Sequence, residues 1–182
     1  MKKEIRRIFG SLYNYENMTP NFDSSLFVAP GAILIGDIRI GKNVSVWYNC
    51  VLRGDVNYIS IGNNTNIQDL SMLHVTNKKY PLVIGENVTI GHSVKLHGCT
   101  IEDNSLIGIG AIVLDGAKVM QNSIVAAGAV VKPGSIIPSR VLAAGIPAKI
   151  IRKLTKKEMK DLVLSAKRYI QYMSKTINSL NS

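Results

Sequence analysis

His74, His92 and His97 are the only histidines in the 182-residue sequence, and all three fall in one short stretch of it. Three imidazoles suit a catalytic Zn2+, with a fourth position left for water. Iron(II) or cobalt(II) would accept the same ligands, so residue type leaves the metal open. A lone histidine is more often a core or surface residue; three in one register form a candidate metal centre. Whether they can meet depends on the chain that carries them.

That chain repeats. Val28, Leu34, Ile40, Val46 and Leu52 lie six residues apart; after a three-residue slip come Ile61, Ile67 and Leu73, and after a five-residue insertion Ile84, Ile90 and Leu96. One residue is then dropped, and Ile101, Ile107, Val113, Val119, Val125, Val131, Ile137 and Ala143 continue the pattern. A short fixed period marks a solenoid, whose units bury apolar surface only by stacking. Four residues after each aliphatic stands a small or β-branched residue (Ala32, Ile38, Val44, Thr65, Val88, Val94, Ser105, Ala111, Ala117, Ser123, Ala129), suited to a narrow strand-lined interior. Three residues after it stand Gly31, Asp37, Asn43, Asn64, Asn87, Asn104, Gly110, Gly116, Asn122, Gly128 and Gly134. These types tolerate positive φ and read as corners. Strands joined by corners, with no room for helices, make an all-β solenoid.

These hexads, over roughly residues 23–148, resemble the hexapeptide repeat of left-handed parallel β-helix proteins, in which three hexads make one triangular coil. Spacing does not give handedness, and the usual preference for parallel crossovers is right-handed; the resemblance implies the exception. His74 and His97 follow Leu73 and Leu96, three hexads and the insertion apart. They should stack on one face, about 4.8 Å apart across neighbouring strands. His92 follows Gly91 in the hexad opened by Ile90, and so belongs to the adjoining face. One chain would struggle to join all three imidazoles, whereas a closed cyclic trimer could bring His92 of one subunit to His74 and His97 of another.

Around the histidines stand Arg53-Gly54-Asp55, Asn66-Ile67-Gln68-Asp69, Leu73-His74, Gly91-His92 and Leu96-His97-Gly98-Cys99-Thr100. Together they resemble the γ-class carbonic anhydrase family. The resemblance implies a homotrimer of left-handed β-helices with the metal between subunits, His74, His92 and His97 as ligands, and CO2 and bicarbonate as substrates. It also implies an Arg53–Asp55 salt bridge at the subunit boundary and Gln68 as a hydrogen-bonding partner of metal-bound water or bicarbonate. Asp69, on its own residue type, either orients Arg53 or a ligand or is simply exposed. The reaction implied is reversible hydration of CO2, helped by a zinc ion that lowers the pKa of its water to about 7. Val56 stands where the family's best-studied type has a glutamate, and the insertion Val75–Pro81 carries no acid. The chain thus resembles the shorter subgroup without the acidic loop, in which a tyrosine of the C-terminal helix approaches the metal; Tyr169 is the matching residue, and weak hydratase activity is expected.

Two other readings compete. Ala144-Gly145-Ile146-Pro147-Ala148-Lys149 resembles the segment closing the β-helix in hexapeptide acyltransferases near coenzyme A, which use one histidine as general base; a thioesterase would share the coenzyme A ester substrate. A metal-stabilised trimeric scaffold without catalysis is the third.

The rest of the chain frames the repeat. Residues 1–22 precede it as an N-terminal extension. Beyond Pro147 the period changes: Thr155-Lys156-Lys157-Glu158 reads as a capping box, and Met159, Leu162, Val163, Ala166, Ile170 and Met173 form one helical face. Residues 149–182 are therefore expected to hold an amphipathic helix packed alongside the β-helix. The formal charge of +10 is concentrated near it, but no aromatic-basic interleaving accompanies it, so neither nucleic acid nor membrane is an expected partner. The basic start, Met1 to Arg7, runs into Gly10, Tyr13 and Asn14 rather than an apolar signal core, and the expected address is cytoplasmic. Cys50, at an interior hexad position, reads as a small core residue; Cys99, two residues after His97, is a less favoured metal ligand.

Overall fold

The computed structural model describes residues 7–182, so most of the basic start lies outside the described residues. Short parallel strands wind into the left-handed β-helix that the repeat implies. Each of its three faces carries one column of hexad aliphatics in register. Val28, Val46, Ile67, Ile90, Ile107, Val125 and Ala143 stack on the first face. Leu12, Leu34, Leu52, Leu73, Leu96, Val113 and Val131 stack on the second. Phe22, Ile40, Ile61, Ile84, Ile101, Val119 and Ile137 stack on the third. Apart from Leu12 and Phe22 these side chains are buried, and each buried Val, Leu or Ile contributes about 1.5–3 kcal/mol of transfer free energy. The small residues expected inside, from Ala32 to Ala129, are buried too.

Strand pairing begins before residue 23 and continues past 148. Ser11–Tyr13 pairs with Ile33–Ile35, Asn21–Phe22 with Arg39–Ile40, and Lys149–Lys153 runs antiparallel to the last interior strand, Val141–Ala144. Most expected corner residues do take positive φ: Asn43, Asn64, Asn87 and Asn104 lie at φ 54–60°. Their side-chain amides form a ladder with 3.2 Å steps. Asp37 is a correction: Gly36 takes the left-handed conformation at φ 79°, which frees Asp37 to pair with Arg39 at 2.8 Å.

The irregularities gather at one corner, just after the second face. The three-residue slip is absorbed by the long strand Val51–Ile61, whose register with Ile33–Ile40 shifts between Gly36 and Ile38. The insertion forms a turn one coil on, closed by Thr76–Tyr80 pairing and tied to the slip by Asn57 Nδ2 donating to the Thr76 carbonyl at 3.1 Å.

The C-terminal helix spans Lys156–Asn181 and starts with the expected capping box: Glu158 N donates to Thr155 Oγ1 at 3.2 Å, and Thr155 N donates to Glu158 Oε2 at 2.8 Å. It runs back over the outside of the first face. Ser165 meets Thr89 at 3.2 Å, while Met173 and Ile177 pack with Phe27, Ala29 and Trp47 nearer the first coils. Its apolar face reaches one turn beyond Met173, the last residue the periodicity marked. No helix among the described residues is long and apolar enough to cross a membrane.

Candidate metal centre

The second face positions two of the histidines as the register requires. Arg53, His74 and His97 occupy equivalent places on three successive coils. Leu52, Leu73 and Leu96 lock the preceding position into the core, and side chains alternate along a strand, so the next residue must point outward. His74 Nδ1 and His97 Nε2 face each other at 3.1 Å. Two ligands 2.0–2.1 Å from one tetrahedral ion would stand about 3.3 Å apart. The two nitrogens are therefore close to ligand spacing.

The other nitrogen of each ring is held by a carboxylate. Asp55 Oδ1 lies 3.0 Å from His74 Nε2, and Asp115 Oδ1 lies 2.9 Å from His97 Nδ1. Asp55 is also paired with Arg53 within the same chain. Burial would push the Asp55 carboxyl up, but the hydrogen bonds from Arg53 and His74 outweigh it and hold the group below the usual carboxylate range. Burial pushes His74 below the ordinary imidazole value, against the pull of Asp55. A neutral ring with its far nitrogen fixed is the form a metal ligand needs.

His92 lies elsewhere, at the corner that ends the first face, one coil on from Asp69. Its Nδ1 is 2.7 Å from Asp69 Oδ2, so it repeats the carboxylate–imidazole arrangement. With Trp47, Asp69, Tyr169 and Tyr172 it lines a cleft of about 350 Å³ beneath the helix. Tyr169 stacks edge-on to Trp47, with centroids 5.6 Å apart. Burial first, and the charge of Asp69 second, push its phenol above the ordinary range, so it stays protonated. Gln68 is buried and donates from Nε2 to Asn66 Oδ1 at 3.1 Å.

The candidate residues of one chain thus fall into two separate groups. Arg53, Asp55, His74 and His97 form one; Gln68, Asp69, His92 and Tyr169 fall on the other side. Among the described residues no three His, Cys, Asp or Glu side chains gather into a metal-binding group. The donor chemistry fits a metal all the same, because each imidazole is oriented by its own carboxylate. Cys99 is no part of it: the thiol is buried, and burial drives its pKa far up. Sequence reasoning missed Asp115 and Thr76. Asp115 stands two residues past Val113, the register partner of Leu96, but nothing in its hexad separates it from an ordinary corner.

The fold and the carboxylate-held histidines define a hexapeptide-repeat β-helix protein with a candidate metal centre split over two faces. Residues 98–133 match the family "Bacterial transferase hexapeptide (six repeats)". The chain is 53% identical over 152 residues to "Probable carbonic anhydrase" of Methanocaldococcus jannaschii, covering 84% of this chain and 94% of that protein. It is 50% identical to "Gamma carbonic anhydrase 2, mitochondrial" of Arabidopsis thaliana over 88% of this chain, but spans only 59% of that longer relative. A crystal structure of a "hexapeptide transferase family protein" from Anaplasma phagocytophilum superimposes with a TM-score of 0.86 at 43% identity, covering 92% of this chain and 97% of that one. The chain belongs to the γ-class carbonic anhydrase-like family.

Proposed function

We propose that the protein is a metal-dependent carbonic anhydrase that interconverts CO2 and bicarbonate at sites shared between the subunits of a homotrimer. The observation that carries this reading is the pair His74 Nδ1 and His97 Nε2, facing each other at 3.1 Å with their far nitrogens on Asp55 and Asp115. His92, held by Asp69 on another face, is the third ligand and comes from the neighbouring subunit. Exposed Leu70, Met72 and Ile109 support this assembly. Leu70 and Met72 lie in sequence between Asp69 and His74, and the glycine after Ile109 donates to the His92 carbonyl at 2.8 Å. A second copy seated there would cover them.

Zinc or iron(II), held by the three imidazoles, would supply the Lewis acidity that lets a water give up its proton near neutral pH. The chain's own residues do the rest. Asp55, Asp69 and Asp115 hold the rings in one orientation, and Arg53 keeps Asp55 ionised. Gln68, a buried amide, offers a hydrogen bond to the substrate oxygen. Hydration of CO2 releases one proton per bicarbonate, and that proton must reach solvent. Tyr169, which lines the His92 cleft, is the proposed relay, releasing its own hydroxyl proton as it takes one up. With Val56 and an insertion free of acids, export is slow and turnover depends on buffer.

The test is stopped-flow CO2 hydration by anaerobically purified, metal-quantified protein, with and without added buffer and Zn2+ or Fe2+. Metal-dependent turnover that rises with buffer is expected. A fully metallated protein that stays silent would reject the reading. One observation favours a second possibility, transfer or hydrolysis of an acyl thioester. A largely apolar cleft of about 440 Å³ runs past Gly91, Ile107, Ile109, Ile124 and Ala127 to Gln68, and the Anaplasma relative is described as a transferase family protein. Thioester cleavage by the metal-silent protein would move the assignment there.

A further inference from the structure

The insertion Val75–Pro81, which carries no acid for proton transfer, does something else. Thr76 Oγ1 donates a hydrogen bond to Asp115 Oδ1, the same oxygen that meets His97 Nδ1. Three residues from three separate parts of the chain therefore meet at one oxygen: Thr76 on the inserted turn and His97 on the second face both bond Asp115, which stands at a corner one coil past His97. We propose that Thr76 and Asp115 are positioning residues that fix the ring of His97, so that the inserted turn works as a clamp on one half of the metal centre. The inference rests on the reading of His97 as a ligand.

The surroundings are built for this contact. Thr76 is pinned on its own turn, its N–H donating to the Tyr80 carbonyl at 2.9 Å and its carbonyl accepting from Tyr80 N at 3.3 Å and from Asn57 Nδ2 at 3.1 Å. Gly98, at φ 50°, leaves the gap through which Asp115 reaches the ring; a Cβ there would stand 2.5 Å from Asp115 Oδ1 and 2.8 Å from Tyr80 Cβ. Gly116 plays the same part on the far side, where a Cβ would meet the Tyr80 ring at 3.0 Å. Tyr80 thus lies over two side-chain-free corners and holds the turn against Asp115. Donation from His97 Nδ1 to a fixed carboxylate selects the tautomer whose Nε2 lone pair faces His74. Without Asp115 the ring can turn over or exchange tautomers, and only part of the population presents that lone pair. Such supporting groups typically contribute about 10- to 100-fold in metal affinity.

The experiment uses the full chain and reads Zn2+ affinity by chelator competition, together with the His97 tautomer by nitrogen-15 NMR of the metal-free protein. Asp115→Ala is expected to weaken Zn2+ binding about 10- to 100-fold. Thr76→Val should weaken it less but in the same direction, and Thr76→Ser should restore it. The double variant should bind no more weakly than Asp115→Ala, because both act through one oxygen. In the metal-free protein His97 should carry its proton on Nδ1, and Asp115→Ala should mix the tautomers; a purely structural corner would leave the tautomer unchanged. Affinity within twofold of the unsubstituted protein for Asp115→Ala, or a proton on Nε2 from the start, would overturn the clamp. His97→Ala separates the two failures: if it binds Zn2+ normally, the reading of His97 as a ligand falls, whereas if it loses Zn2+ while Asp115→Ala does not, only the clamp falls.

Discussion

Mixing two defective proteins tests the proposed division of the metal centre between subunits. His92→Ala leaves His74 and His97 facing each other at 3.1 Å but removes the ring held by Asp69. His74→Ala does the reverse, sparing the corner that carries His92. Each protein alone lacks one ligand in every site and should retain almost no metal after passage over a chelating resin. After subunit exchange, a site is whole only where a His92→Ala subunit supplies the second face and a His74→Ala subunit supplies the corner. With equal amounts and random exchange each choice has a chance of about one half, so about one quarter of sites should recover, whatever the number of subunits in the closed ring. The assay is metal per subunit by elemental analysis, with mixed assemblies verified by native mass spectrometry and CO2 hydration measured alongside. If the three histidines met within one chain, every chain in the mixture would carry a defect and recovery would be nil. No recovery in verified mixed assemblies would therefore refute the split site, and substantial metal in either parent would refute the ligand set.

Core, thiol and helix cap each offer a further check. Leu73 is fully buried between Leu52 and Leu96, so Leu73→Ala should cost about 2–5 kcal/mol in urea unfolding; a loss under about 1 kcal/mol would mean that the coil collapses onto the gap. Cys50 and Cys99 are buried, and burial pushes the Cys50 thiol up to about 12. Both should resist iodoacetamide at pH 8 until the chain unfolds, and rapid labelling of the native protein would contradict the interior placement. Arg152 and Thr155 hold the Glu158 carboxyl at about 2, below its ordinary 4.5. Its folded pKa is depressed, so the stability it contributes is present above pH 4.5 and lost as the pH falls towards 2. The gap in melting temperature between the unsubstituted protein and Glu158→Gln should be constant above pH 5 and close below 4.5; a gap that widens in acid would reject the capping role.

The regular part of this molecule was legible because each hexad repeats one physical rule: an aliphatic side chain inside, a small one beside it, and a corner that tolerates positive φ. The register of His74 with His97 followed from counting hexads and discounting the insertion. Corners at Leu70, Ser93 and Arg140 also take positive φ, and residue type alone did not mark them. Leu, Ser and Arg have no intrinsic reason to sit there, so the stacking of coils imposes the conformation. Asp115 was missed for a related reason. Asp is common at corners anyway, and only the fold reveals that this one faces an imidazole on the previous coil.

Leu70 connects these observations to the assembly. A bulky residue at φ 63° is strained, and its side chain is 61% exposed, so within one chain the conformation brings no burial in return. The residue sits directly after Asp69, which holds His92, and four residues before His74. A β-helix cannot close its faces on one another, because the interior is already filled by the hexad aliphatics. Ligands on two outward surfaces can therefore share an ion only when a second chain approaches. The same approach would cover Leu70, Met72 and Ile109. One head-to-tail contact, repeated around the ring, would then offset the strain, bury the exposed aliphatics and complete the ligand set. Leu70→Asp should accordingly weaken association and metal retention together while leaving the fold of the single chain intact. Sedimentation and elemental analysis would separate that result from loss of metal in an assembly that still forms, which would detach Leu70 from the shared site.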